Sequence, residues 1–234
     1  MLFVEESKVR KEVRMEQSEL LLEYLQYRCN AYYSLKTIFI KEATMAQIRQ
    51  LAKSCKKAGD LSDLPEAFRN YVAYFASITE EQVKDVRQEM KPEYARLFLG
   101  PKKLIAPPYE SVYRSKRHCL YAEATDQVKQ FYQNAGIKMS EKSKLPEDFL
   151  GTQLEFMYWM SHRMLQALNE EQYELMERMA IYQYEFLSQH LCMWIHDFKK
   201  DVVKGTTMQY FKVAAEYLVE FIEEDAAFLE TWNS

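Results

Sequence analysis

The chain reads Tyr94-Ala95-Arg96-Leu97-Phe98-Leu99-Gly100-Pro101 at residues 94–101, Ala106-Pro107-Pro108-Tyr109-Glu110-Ser111-Val112-Tyr113 at 106–113 and Leu145-Pro146-Glu147-Asp148-Phe149-Leu150-Gly151 at 145–151. Four of the six prolines and three of the five glycines fall between residues 93 and 151. Glycine reaches positive φ, and proline pushes the residue before it out of the helical region. Irregular, aromatic-rich backbone set between helical blocks is where we expect function.

The sequence on either side of this middle segment is helical in pattern, because apolar residues recur at steps of three and four. No stretch shows the alternation of a strand, and five glycines are few for an all-β fold. Helices are predicted over residues 8–31, 32–42, 45–56, 79–90, 93–99, 121–135 and 146–169. Further helices are predicted from Pro65 onward, from beyond Asn169 to about Phe198, and after Gly205. The sequence therefore predicts an all-α fold of about nine to eleven helices, packed as a single helical-bundle domain over residues 1–234 with a hinge near 136–146.

Several local signals mark the ends of these helices. Thr44 and Gln47 have the spacing of a capping box, and Ser62 or Asp63 is predicted to cap the helix that starts at Pro65. Pro92 is expected to break or restart its helix. The segment 100–114 contains too many prolines to be regular. Glu147 and Asp148 are expected in the first turn of a helix, where carboxylates suit the helix dipole.

Composition limits the classes of function. The chain has 234 residues, with 31 basic and 35 acidic side chains and a net charge of −4. A mildly acidic chain is a poor candidate for binding nucleic acid and suits a cationic partner. No apolar run reaches the ~18 residues of a membrane span, and the acidic start does not resemble a signal peptide, so we expect no stable membrane insertion and a cytoplasmic location.

Motifs for catalysis or for metal binding are weak. The four cysteines are scattered, which indicates free thiols, and Cys192 with His196 provides only two ligands for zinc. No phosphate-binding loop or nucleophile elbow occurs. Glu155 could pair with Glu147 or Asp148 for acid–base chemistry, but helix capping is the simpler interpretation. We predict no cofactor, no metal and no enzymatic activity.

A binding role fits the middle segment better. Its aromatic side chains offer large contact area at little entropic cost, and four carboxylates lie among them in sequence. A groove with apolar walls and an acidic edge would suit a peptide that carries an apolar stretch beside arginines. The other interpretation is that most of these aromatic side chains belong to the core. The predicted peptide-binding residues are Tyr94, Leu97, Phe98, Tyr109, Glu110, Glu147, Asp148, Phe149, Glu155 and Phe156.

At these residues the chain resembles the TorD/DmsD family of cytoplasmic maturation chaperones for molybdenum-containing redox enzymes. The matching features, in order, are Tyr94-x-x-Leu97-Phe98-x-Gly100-Pro101, Pro107-Pro108-Tyr109-Glu110-Ser111-Val112-Tyr113, Pro146-Glu147-Asp148, Leu154-Glu155-Phe156-Met157 and Phe186-Leu187-x-x-His190-Leu191-x-x-Trp194-x-x-x-Phe198. The resemblance implies an all-helical chaperone that binds the twin-arginine signal peptide and the apo-form of a molybdopterin oxidoreductase catalytic subunit. Such a chaperone assists cofactor insertion and proofreads the client before export.

The resemblance assigns roles by position. We expect Tyr94, Leu97, Phe98, Tyr109 and Phe156 to contact the apolar part of the peptide, and Glu110, Glu147, Asp148 and Glu155 to attract its arginines. The family often has Asp-His where this chain has Asp148-Phe149, so a role for that histidine does not carry over. Either Phe149 makes the site more apolar, or the substrate is different.

Three other functions stay open at this point. They are a nitrate-reductase-type assembly chaperone whose client is not exported, a helical enzyme that uses Glu147, Asp148 or Glu155, and a structural subunit without a peptide site. The chain is expected to be a monomer or a homodimer, including one formed by exchange of helical halves.

Overall fold

The longest element is a single helix, α1, which covers Leu2–Phe39. The sequence predicted two helices with a junction near residue 31, and this is wrong. No glycine or proline interrupts the segment, and Leu25, Tyr32, Leu35 and Ile38 continue one buried stripe along it. The structure, a computed structural model, describes residues 2–100, 104–116, 119–121, 123–137 and 145–232, with side chains from residue 19 onward.

Nine further α-helices follow α1 in the described residues. They are α2 (Met45–Cys55), α3 (Glu66–Ser77), α4 (Val83–Tyr94), α5 (Glu110–Arg114), α6 (Glu123–Asn134), α7 (Leu150–Asn169), α8 (Tyr173–Gln189), α9 (Ile195–Gly205) and α10 (Gln209–Glu230). A π-helical turn at Ala95–Leu99 follows α4, and a 3₁₀ turn at Leu191–Met193 follows α8. The described part of the chain forms no strand longer than one isolated bridge, which confirms the all-α prediction.

The core is built around α1, α7 and α10. The most extensive contact between helices joins α1 to α7, and α10 packs against α3, α8 and α9. Burying apolar faces in this way provides most of the stabilisation of the helices, because isolated helices are marginal in water. Within the described residues, no helix is both long enough and apolar enough to cross a membrane.

The end of α4 differs from the prediction at Pro92. The helix continues through Pro92 to Tyr94 and then widens into the π-helical turn, in which Gly100 N donates to Ala95 O at 3.0 Å. Gly100 ends this turn with a φ of 82°, a conformation that glycine adopts without strain. The predicted stop is therefore confirmed at Gly100, while Pro101 lies outside the described residues.

The long helix predicted to reach Phe198 is broken at His190. This residue has φ −123° and ψ −86°, which are not helical, and a 3₁₀ turn separates α8 from α9. Periodicity did not reveal the break, because Leu191 and Ile195 on its far side remain buried. The His190 side chain pairs with the carboxylate of Glu110, which is distant in sequence.

Helix caps were predicted correctly only where they are local. Thr44 and Gln47 form the predicted capping box at the start of α2. Neither Ser62 nor Asp63 caps α3, whose N-cap is Pro65. Instead, the Glu220 carboxylate of α10 accepts from the backbone of Ala67 at 3.0 Å and of Phe68 at 2.7 Å. A carboxylate from another helix therefore satisfies free donors at this helix start.

Candidate functional site

The proline-rich loop at 106–109 and the segment at 146–150 meet in space as an antiparallel pair. Tyr109 and Phe149 form an isolated β-bridge, and their rings lie 5.5 Å apart. Leu150 N donates to Pro108 O at 2.8 Å, and Glu110 N donates to Asp148 O at 3.2 Å. The bridge joins the proline-rich loop to the start of α7. That loop was predicted to be irregular up to residue 114, but residues 110–114 form α5.

Asp148 caps α5 instead of α7. The first residue of α7 is Leu150 and its N-cap is Phe149, so Glu147 and Asp148 precede the helix, contrary to the prediction. One Asp148 oxygen accepts from Ser111 N at 2.8 Å, and the other accepts from the Thr125 hydroxyl at 3.0 Å. The side chain is fully buried. It holds the bridge, α5 and α6 together.

Glu110 is the second fully buried carboxylate of the site. Its Oε1 accepts from Arg114 Nη1 and lies 2.9 Å from His190 Nδ1, and its Oε2 accepts from Gln153 Nε2 at 2.8 Å. Arg114 also donates to Gln189 O at 2.9 Å, next to the break between α8 and α9. A buried carboxylate needs this kind of full pairing to offset its loss of hydration.

The charges of the four predicted carboxylates all act on Tyr132 of α6. Burial raises the pKa of the Tyr132 hydroxyl well above its ordinary value, and the charges of Glu110, Asp148, Glu147 and Glu155 raise it further. The hydroxyl donates to the backbone carbonyl of Glu147 at 3.1 Å. We call these four carboxylates, whose charges all act on the same neutral phenol, the acidic cluster.

Two members of this cluster are accessible from solvent. The Glu147 side chain is 24% exposed and lies 3.7 Å from Lys129 Nζ, while the Glu155 side chain is 41% exposed and accepts from Lys36 at 3.0 Å. Trp159, one helical turn beyond Glu155 on α7, is 54% exposed. The Glu155 carboxylate and an exposed indole therefore share one side of α7.

The apolar residues predicted to contact a peptide are mostly in the core. Tyr94, Leu97, Phe98, Phe149 and Phe156 are each at most 3% exposed, whereas Tyr109 is half-buried. In this conformation a peptide has no access to the five buried side chains, because neighbouring helices cover them. Their contacts are internal.

Two contacts illustrate what the buried aromatic side chains do. The Tyr94 hydroxyl donates to Phe39 O at 2.9 Å, which satisfies a free carbonyl at the end of α1. Phe156 packs against Phe186 with ring centroids 4.6 Å apart and against Tyr132 at 4.8 Å. These residues support the site from beneath.

Sequence reasoning missed the partners of the two buried carboxylates. Asp148 pairs with Thr125 of α6. Glu110 pairs with Gln153 of α7 and with His190, which lies between α8 and the 3₁₀ turn, and no local spacing relates these two residues to Glu110. A groove of about 500 Å³ lies beside Glu110, because two of its partners, Arg114 and His190, line the groove. Its lining includes Arg114, Gln127, Gln130, Phe131, Asn134, Gln189, His190 and Met193. The basic cluster 114–117 contributes Arg114 to it, while Arg117 lies outside the described residues.

Metal binding finds no support in the side-chain arrangement. Over the parts of the chain that the structure describes, no group of three or more His, Cys, Asp or Glu side chains could hold a metal ion. His196 pairs with a single carboxylate, that of Glu223, with 2.8 Å between Nε2 and Oε1. Cys29, Cys55, Cys119 and Cys192 are free thiols, as predicted.

Replacing Asp148 with Ala is expected to lower the free energy of unfolding by about 2 kcal/mol, because Ser111 N and the Thr125 hydroxyl lose their acceptor inside the protein. Chemical denaturation followed by circular dichroism measures the change. Asp63→Ala, at an exposed loop position, is the control and should stay within about 0.5 kcal/mol of wild type. Equal stability of the two variants would show that Asp148 does not hold α5.

Comparison with known proteins gives consistent matches over most of the chain. The family model described as "Nitrate reductase delta subunit" matches residues 61–200. Chaperone protein TorD of Aliivibrio salmonicida is 25% identical over 207 residues, which cover 87% of this chain and 95% of that protein. Chaperone protein TorD of Vibrio vulnificus is 25% identical over 206 residues, covering 86% and 94%.

One solved structure is also similar. It is a crystal structure described as a redox enzyme maturation protein from Archaeoglobus fulgidus, with a TM-score of 0.48 and 16% sequence identity. The similarity covers 87% of this chain and 94% of that chain.

Proposed function

The chain belongs to the nitrate reductase delta subunit family, and on this premise we propose that it is a maturation chaperone for a molybdenum-containing oxidoreductase. Its partners are the twin-arginine signal peptide and the apo-form of the client's molybdopterin-binding catalytic subunit. It assists cofactor insertion and delays export until the client is complete. The observation that carries the proposal is the family match over residues 61–200, which includes the whole irregular middle of the chain.

The relatives support the coarser part of this function directly. The curated proteins that match over most of the chain are named chaperones, so this chain is a redox-enzyme maturation chaperone and not an enzyme. The alternative of acid–base catalysis loses support for a physical reason as well. Asp148 is fully buried and both of its carboxylate oxygens accept hydrogen bonds from the protein, so a substrate does not reach it in this conformation.

The peptide site that we propose lies at the accessible edge of the acidic cluster. Glu147 and Glu155 are its exposed carboxylates, Tyr109 is half-buried, and Trp159 offers an exposed ring beside Glu155. An arginine can pair with a carboxylate while its guanidinium stacks on an aromatic ring. The buried carboxylates of Glu110 and Asp148 fix the backbone beneath this edge. The core below it is formed by the buried side chains of Tyr94, Leu97, Phe98, Phe149 and Phe156.

The lysines at the site provide a reason for arginine specificity. Lys36 and Lys129 already neutralise Glu155 and Glu147 in part. An incoming lysine would form the same single contact that it displaces. An incoming arginine can form two parallel hydrogen bonds to one carboxylate, which a lysine cannot. We therefore expect the site to prefer arginine.

The experiment that tests the proposal is calorimetric titration with a synthetic leader peptide that carries two adjacent arginines before an apolar stretch. The double variant Glu147→Gln/Glu155→Gln is expected to bind this peptide about tenfold more weakly, since two charge-assisted contacts are lost at a partly exposed edge. A peptide with two lysines in place of the arginines should show a similar loss against wild type.

The matched control is Glu174→Gln/Glu177→Gln, which removes the same charge from exposed positions on α8. It should bind the arginine peptide as wild type does. An equal loss in both double variants would mean that net charge alone attracts the peptide. Absence of binding to wild type would refute the proposed signal-peptide recognition.

A second candidate function is assembly of a client that is not exported, as for a nitrate-reductase-type chaperone. The description of the matching family favours it. In that case the arginine and lysine peptides should bind with the same affinity. The titration therefore separates the two candidates.

The organisation of the whole chain completes the proposal. We propose one all-helical domain over residues 1–234 that acts in the cytoplasm as a monomer or a homodimer. The hinge expected near 136–146 includes Gly136, which has a φ of 72°, while residues 138–144 lie outside the described residues. A dimer formed by exchange of helical halves would require this connector to straighten.

A further inference from the structure

A cavity of about 270 Å³ lies away from the acidic cluster, between α1, α2, α3 and α10. Aromatic rings of Tyr27, Phe68, Tyr71 and Tyr217 form its walls. It is larger than the ~150 Å³ apolar cavity that is known to admit benzene in another protein. The space is therefore sufficient for a two-ring aromatic group.

The lining of this cavity carries no charged residue, although charged residues make up 28% of the chain. Its titratable groups are also neutral near pH 7. Burial raises the pKa of the Cys55 thiol to about 11, and burial likewise raises the pKa of the Tyr27, Tyr71 and Tyr217 hydroxyls. A charged ligand would lose its hydration here without gaining a counter-charge. The cavity therefore suits an uncharged group.

One buried polar atom of the cavity has no well-formed hydrogen bond. Tyr71 is 3% exposed, and within the described residues its hydroxyl interacts only loosely with the Ser34 hydroxyl. Ser34 and Cys55, which lies nearby, both line the cavity. Ser34 donates its own hydrogen to Ala31 O at 2.9 Å. A buried hydroxyl without a well-formed hydrogen bond is costly, and a ligand with a polar atom would relieve that cost.

The cavity continues into a shallower groove of about 580 Å³. Asn30, Tyr33 and Gln50 line both spaces, and Gln26 lies further along the groove. Side-chain amides can both donate to and accept from a peptide backbone. At its far end the groove reaches Tyr158, whose ring lies 4.9 Å from Lys36 Nζ, the partner of Glu155. An extended ligand in the groove would point towards the acidic cluster.

We propose that this cavity binds one uncharged aromatic side chain of an extended peptide, and that the amide-lined groove binds the peptide backbone beside it. Tryptophan fits best, because its indole N–H can donate to the Tyr71 hydroxyl oxygen while its two rings contact the aromatic walls. The inference rests on the proposed function in one respect: the peptide belongs to the client.

The test uses blocked, uncharged tripeptides with the sequences Gly-Trp-Gly and Gly-Ala-Gly, together with free indole, titrated into the full-length protein and followed by NMR. The Trp tripeptide should bind at least about tenfold more tightly than the Ala tripeptide, as burial of one aromatic side chain predicts. It should also bind more tightly than indole, because only the tripeptide occupies the groove. Equal affinity for the Trp and Ala tripeptides would overturn the proposal, and indole binding as tightly as the Trp tripeptide would remove the groove from it.

Two pairs of variants locate the site. Ser54→Trp places a large ring at the exposed rim of the cavity and should abolish binding of the Trp tripeptide, whereas Lys53→Trp, at the adjacent exposed position outside the lining, should not. Tyr71→Phe should weaken binding about threefold by removing one hydrogen-bonding group. Tyr210→Phe removes a buried, unpaired hydroxyl that does not line the cavity and should have no effect.

Retention of tripeptide binding by Ser54→Trp would show that the site lies elsewhere. The tripeptides contain no arginine, so this outcome is distinct from a failure of the arginine leader peptide to bind. The first would overturn the cavity assignment alone. The second would overturn the proposed function, and with it the client as the source of the peptide, but not binding in the cavity.

Discussion

Replacing Asp225 with Asn is expected to lower the free energy of unfolding by about 3–5 kcal/mol, the largest effect that we predict for a single substitution. Asp225 and Arg28 are both fully buried. Asp225 Oδ2 accepts from Arg28 Nη2 at 3.0 Å and from the Tyr32 hydroxyl at 2.6 Å, and Oδ1 accepts from Arg28 Nε. Asn keeps the shape but leaves the guanidinium charge buried without a counter-charge.

The pair is also the centre of a network that joins four helices. Arg28 of α1 donates to Gln183 of α8 at 3.0 Å and lies 3.3 Å from the sulfur of Met164 on α7, while Asp225 lies on α10. A domain of this kind has a total stability of about 5–15 kcal/mol. Loss of one charge from the network would therefore remove a large share of that stability.

Denaturant unfolding of the Asp225→Asn variant, followed by circular dichroism, measures this effect. The control is Glu80→Gln, which removes the partner of Arg49 in an exposed ion pair and should change stability by less than about 1 kcal/mol. The double variant Arg28→Met/Asp225→Leu removes both charges and should be more stable than Asp225→Asn. A loss below about 1 kcal/mol for Asp225→Asn would show that solvent reaches the Arg28 charge.

Replacing Gly151 with Ala is expected to lower the free energy of unfolding by about 3 kcal/mol. Gly151 is buried in the first turn of α7, where α7 packs on α1. A Cβ atom placed there would clash with the Cα of Ile40, just beyond the end of α1, and would lie 2.6 Å from a ring atom of Phe149. The contact with backbone cannot be relieved by a side-chain rotation, so the two helices would have to separate.

Gly59→Ala is the matched control for this substitution. A Cβ atom at Gly59 would meet no heavy atom within 4 Å. The same change of residue should therefore be neutral, or stabilise by up to about 1 kcal/mol through the unfolded state. Thermal unfolding of both variants measures the difference between them. Similar unfolding temperatures would show that α1 and α7 are not in close contact at Gly151.

The sequence was most informative about helices and their local ends. The capping box at Thr44, the stop at Gly100 and the end of α7 at Asn169 were all predicted and are present. Such signals depend on residues within one turn of each other, so the local sequence is sufficient to detect them. The family motifs could also be recognised in the sequence, because the resemblance depends on their order and spacing along the chain.

The sequence was least informative about the surroundings of the site residues. Glu110 and Asp148 were grouped with Glu147 and Glu155 as carboxylates near a groove, yet two are fully buried and two are partly exposed. Burial depends on what packs over a residue, and the partners Gln153, Thr125 and His190 come from α7, from α6 and from the break after α8. For the same reason the five aromatic and aliphatic side chains now found in the core could not be separated from a peptide-contacting surface.

The sequence by itself determined the all-α class, the helix ends that carry local signals, as at Thr44, Gly100 and Asn169, and the family resemblance. Helical periodicity, glycine stops and ordered motifs are all properties of the local sequence. Only the tertiary structure decided that Asp148 caps α5, that Glu220 caps α3, and that Arg28 meets Asp225 across 197 positions of the chain. Each of these contacts offsets the cost of a buried charge or of free backbone donors. The packing of helices that are distant in sequence determines these partners, so a local sequence pattern does not reveal them.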